Sequence, residues 1–143
     1  MSQRTDTREN AKQRMEGSLH QFQIEDEVQS LKAEPAYRGG GHDQITLVHG
    51  SGRHGEGPLR VAVFAFHAGN ALRDHRVSGP ITVQVLSGRI VFSTDDGGSV
   101  EMKAGSLLSL EGGISHSVEA LEDAVMLLTV VQVGEPAKQA EDA

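Results

Sequence analysis

The chain has no cysteine and no tryptophan, and aromatic residues make up 3% of its 143 residues. Without thiols there can be no disulfide, no thiolate zinc centre and no cysteine nucleophile, so a metal would have to be held by nitrogen and oxygen. Seven histidines and the acids are what remains for that purpose. Long apolar runs are missing too: "VAVFAF" (Val61–Phe66) and "AVMLL" (Ala124–Leu128) fall far short of the roughly 20 residues that a bilayer span requires. Positive charge is also in short supply. With 13 Lys and Arg against 20 Asp and Glu, the net charge of −7 argues against a nucleic-acid partner and against attraction to an anionic membrane. The first residues, "MSQRTDTRENAKQRMEG", lack the apolar core of a secretory signal, and Asp6, Glu9 and Glu16 count against a transit peptide. A cytoplasmic protein is the expectation.

Residues 1–17 carry too few apolar side chains to offset the entropy of ordering and read as a disordered arm. In "FQIEDEVQSLKAEPAY" the helical spacing of Ile24, Val28 and Leu31, the acids ahead of Val28 and the stop at Pro35 predict one short helix over Glu25–Ala33. Beyond Gly39–Gly41 the period changes to two. Eight short runs, from "QITLVH" to "AVMLLTVVQV", are separated by turns such as "DDGG" and "EGG", with no helix between them. This regular spacing predicts a single all-β domain over 18–133, an antiparallel sandwich or barrel, followed by a loose tail at 134–143.

Two histidines fall on apolar registers. Extending the alternation of "ITVQVL" backwards places His75, Val77, Ile81, Val83 and Val85 on one interior face. In "ISHSVEA" the alternation puts Ile114, His116, Val118 and Ala120 inward and Ser115, Ser117 and Glu119 outward. Leu86 and Val91 occupy registers opposite to that core, and a second apolar row of this kind predicts a homodimer.

The spacing around these histidines resembles the cupin family, small jelly-roll barrels that bind metals or small molecules inside. The first cupin motif has its frame in Gly69, His75, Val77, Ile81 and Gly88, and the second in Gly105, Glu111, Gly113, His116 and Ala120. The resemblance runs from about Leu59 to Val131. It implies a conserved double-stranded β-helix barrel, and in metal-binding members two histidines and a glutamate of the first motif join a histidine of the second. Here Val77 and Ile81 stand in two of those four places, and Glu111 stands where proline is usual, so the metal motifs are degenerate.

His75 and His116 are therefore the candidate metal ligands for zinc, nickel, manganese or iron, short of the three protein ligands that a catalytic metal normally takes. His67, at the end of "VAVFAFH", is the one candidate for a third donor. The string "GSGRHG" (Gly50–Gly55) reads as G-x-G-x-x-G, but a strand rather than a helix follows it, so the dinucleotide motif is rejected in favour of a turn. His42, His49 and His54 are expected in solvent. There is no G-x-S-x-G elbow, and Glu101, Glu119 and Glu122 lie on polar registers or loops, so neither a nucleophile nor a paired-acid mechanism has a candidate. Arg73, Asp74 and Arg76 read as edge charges, with Arg73 in reach of an anion at a barrel mouth. The leading expectation is a barrel that binds a small organic ligand in a pocket lined by Phe64, Phe66, Val77, Ile81, Val83 and Val85, with His75 and His116 as its polar groups, serving sensing or sequestration. The alternatives are a metal-dependent dioxygenase, isomerase or lyase and an interaction scaffold using the N-terminal arm.

Overall fold

The computed structural model describes residues 19–50 and 57–133. The arm at 1–17, the tail at 134–143 and the turn containing His54 lie outside the described residues.

A short helix α1 spans Ile24–Lys32, with Glu25, Asp26 and Glu27 in its first turn and Lys32 in its last, matching the charges to the helix dipole. It is the expected helix displaced by one residue. Pro35 does end the pattern, and it also opens a four-residue helix α2, Pro35–Arg38, where its missing N–H costs nothing.

Nine strands follow: β1 His42–His49, β2 Leu59–Phe66, β3 Ala71–His75, β4 Ile81–Ser87, β5 Arg89–Thr94, β6 Ser99–Lys103, β7 Leu107–Leu110, β8 His116–Ala120 and β9 Ala124–Val131. Eight correspond to the runs seen in the sequence. The ninth, β3, has the sequence "ALRDH", in which three charged or polar residues hide any alternation. The strands form two antiparallel sheets, ordered β1-β2-β9-β4-β7 and β3-β8-β5-β6. They face each other across one core.

That core joins Phe64, Phe66, Ile81, Val83, Val85, Ile90, Phe92, Met102, Val118, Ala120, Ala124, Met126 and Val130. Strand β2 contributes to a second core on its other face, where Val63 and Ala65 pack with Ile45, Leu47 and Val125 beneath Leu31 and Tyr37 of the helices. Being covered on both sides explains why "VFAF" is buried without alternation. Leu86, expected to await a second subunit, is packed in this outer core by the chain's own N-terminal segment.

Strand register grades the inner core from end to end. Phe66 pairs with Ala124, Val85 with Met126 and Ile90 with Ala120. Toward the other end, Ile81 pairs with Val130, Val83 with Leu128 and Thr94 with His116. Side chains fill the first end. The second end holds a cavity.

Candidate functional site

The cavity has a volume of about 400 Å³. Its wall is mostly hydrocarbon: Ala62, Phe64, Leu72, Ile81, Val83, Phe92, Val118, Met126, Leu128 and Val130. The polar lining consists of Gln44 and Thr46 on β1, Arg60 on β2, Arg73 and His75 on β3, and His116 on β8.

Of the residues expected at the pocket, His75, His116, Ile81, Val83 and Phe64 line this cavity. Val77, Val85 and Phe66 do not. Phe66 and Val85 are fully buried at the filled end of the barrel, and Val77 packs against the inner core from a loop. Ile81, Val83 and Val85 do face the inner core and His75 the cavity, but His75 and Val85 belong to different sheets, separated by an irregular segment over 76–80, so their common face is not that of one continuous strand. A period counted through a sheet crossing carries no phase information.

His75 reaches the cavity by another route. Leu72 pairs with Val118, yet His75 rather than Asp74 pairs with His116, so β3 carries one extra residue in this interval. Asp74 has φ of 50°, the only positive value at a described non-glycine residue. Aspartate tolerates this left-handed conformation better than most side chains, and the resulting bulge turns His75 and Arg73 to the cavity. Arg73 is therefore more than an edge charge. His75 is exposed to solvent as well as bordering the cavity, which places it at the rim rather than in an apolar interior.

His116 is different: only 8% of it is exposed. Its ring stacks on Phe92 at 5.2 Å between centroids, and meets the edge of the His75 ring at 5.8 Å. Nδ1 lies 3.1 Å from the Ile114 carbonyl, which can only accept, so the proton sits on Nδ1 and leaves Nε2 as an acceptor. Burial depresses the His116 pKa below the ordinary 6.5, the nearby His75 adds to this, and the bond to Ile114 opposes it. The unfolded chain then binds a proton more readily than the folded one between the depressed value and 6.5, so stability falls as pH is lowered through that window. The melting temperature should drop on acidification from about pH 7.5 to 5.5, and His116→Asn should flatten that slope, as thermal melts across the range would show.

His67 is turned the other way. Its Nε2 lies 2.9 Å from the Tyr37 carbonyl, its ring stacks on Tyr37 at 4.0 Å and its Nδ1 lies 3.6 Å from Asp123. It fastens α2 to the outside of the barrel and supplies no third ligand. His42 departs from the solvated expectation, packing at 5.5 Å on Phe66, whereas His49 is exposed as expected, with Nδ1 3.1 Å from the Arg60 guanidinium. Glu101 and Glu122 both bind Arg89, at 2.6 Å and 3.0 Å, away from the cavity.

Arg60, missed in the sequence, takes its place through β2. Val63 and Ala65 pack under the helices, so by alternation Arg60, Ala62 and Phe64 face the cavity. The run "LRVAVFAF" contained that alternation, but two buried faces concealed which half was inward.

No group of three or more histidines and acids that could hold a metal occurs among the described residues. Two imidazoles, with Ile81 as hydrocarbon beside them, do not fit a resident catalytic metal centre, which normally takes three protein ligands.

No protein-family model matches the chain, and no curated protein matches it. Solved structures do. A cupin 2 conserved barrel domain protein from Leptotrichia buccalis is 29% identical, covering 65% of this chain and 42% of its own, with a TM-score of 0.58. A cupin superfamily protein from Desulfitobacterium hafniense is 13% identical over 64% of this chain and 79% of its own, with a TM-score of 0.55. A salicylate 1,2-dioxygenase from Pseudaminobacter salicylatoxidans is 16% identical over 77% of this chain and 34% of its own, with a TM-score of 0.64. Two facing antiparallel sheets, a cavity at one end between them and these structural likenesses together identify the fold of this chain as the cupin barrel.

Proposed function

We propose that the chain is a binding barrel for a small organic ligand held in the inner cavity. The observation that carries this reading is the cavity itself: about 400 Å³, walled largely by apolar side chains, with a few polar groups to orient what enters. Sensing or sequestration are the roles such a barrel would serve. Ala62 is half-buried on the cavity wall, so Ala62→Leu should reduce the space while leaving the fold intact. Ligand-observed NMR with small aromatic and aliphatic compounds should detect binding to the wild type and a loss of about tenfold or more in the variant. Binding that ignores Ala62→Leu would place the ligand elsewhere and overturn the reading.

A second reading, a metal-dependent enzyme, is favoured by the approach of His75 to His116 and by the dioxygenase among the structural neighbours. The donor set weighs against it. Protein stripped with a chelator and titrated with zinc, nickel, manganese and ferrous iron is expected to show no saturable rise in melting temperature near one equivalent. A rise that is lost in both His75→Ala and His116→Ala would make the enzyme the leading reading, because a ligand that binds only the native state stabilises it by mass action.

A further inference from the structure

The cavity's charged lining does not follow the composition of the chain. Acids outnumber Lys and Arg 20 to 13 overall, yet among the described residues the lining contains Arg60, Arg73, His75 and His116 and no aspartate or glutamate. The bulge at Asp74 turns the basic pair of β3 to this space. The guanidinium of Arg60 is held from the side, with Nε donating to Gln132 Oε1 at 3.2 Å and Nη1 donating to His49 Nδ1 at 3.1 Å. Neither acceptor is a carboxylate, so these bonds fix the position of Arg60 without neutralising it.

Resting on the binding-barrel reading, we infer that the ligand is an organic anion: a carboxylate, or an acid of similar shape, on an apolar body. The body would lie among Phe64, Ile81, Val83, Phe92, Met126 and Leu128. The anionic group would meet Arg60 and Arg73, whose planar forks suit a carboxylate. A lysine would act there as a point charge only. Charge-assisted hydrogen bonds in a partly desolvated cavity are worth more than neutral ones, enough for a preference of about tenfold or more over a neutral isostere.

Benzoate, benzamide and benzylammonium share one ring and differ in charge, and hexanoate and hexanamide make the same comparison on an aliphatic body. Affinities from ligand-observed NMR should favour the carboxylates over their amides, with the ammonium weakest. Arg60→Gln and Arg73→Gln should each erase most of that preference while melting close to the wild type. Arg60→Lys should restore part of it. Should amides bind as tightly as carboxylates, or the preference survive both glutamine variants, the anion inference falls and the binding barrel stands. Should no compound of either series bind the folded wild type, both fall together.

Discussion

Val85→Asp is expected to cost about 4 kcal/mol or more, lowering the melting temperature by something on the order of 15 °C or preventing folding outright. Val85 is 0% exposed, pairs with Met126 across β4 and β9, and lies at the filled end of the barrel, where an aspartate would meet only hydrocarbon of the inner core. A carboxyl group there must either lose a proton into a medium that cannot solvate the charge or stay neutral with unmet hydrogen bonds. Both are costly against the roughly 5–15 kcal/mol that separates folded from unfolded domains. Thr82 and Gln84 on the opposite face of β4 are half-buried, and Thr82→Ala and Gln84→Ala should each stay within about 1 kcal/mol. Chemical and thermal denaturation of the three variants tests the register. A Val85→Asp protein that melts with the wild type would mean that β4 is one residue out of phase.

The strands that proved legible are those where one face is wet. Alternation in "ITVQVL" and "SHSVEA" survives in the structure because Thr82, Gln84, Ser117 and Glu119 keep some access to solvent while their neighbours are buried. The same signal failed in two ways. In β2 a helical layer buries the outer face as well, so the apolar run does not say which side holds Phe64 and which holds Val63. In β3 the bulge shifts the phase by one residue between Leu72 and His75. Five of the sixteen lining residues were expected at the pocket, and most of the site therefore escaped the sequence. His116, Ile81 and Val83 sit on regular strands and could be placed by counting, whereas Arg73 depends on the bulge and Arg60 on knowing the face of β2.

The glycines of the cupin-like frame carry a different kind of information, and Gly88 carries most of it. It sits between β4 and β5, where the chain leaves the five-stranded sheet for the four-stranded one, with φ of 78°. A Cβ added there would lie 2.1 Å from the Asp123 carbonyl oxygen and 2.7 Å from Ala124 Cα. These are backbone atoms at the start of β9, and they cannot swing aside as a side-chain tip could. Gly69 offers a control, since its φ of 90° is similarly unfavourable to L residues but a Cβ would meet nothing within 4 Å. Gly69→Ala should therefore cost the conformational penalty alone, about 1–2 kcal/mol. Gly88→Ala adds displacement of β9 to that penalty, and should cost about 4 kcal/mol or more, because a close-packed interior cannot absorb such an overlap. Urea denaturation of both variants measures the difference. Equal midpoints would show that β9 can withdraw from the crossing at little cost, and that Gly88 is needed for its backbone angle and not for the space it leaves.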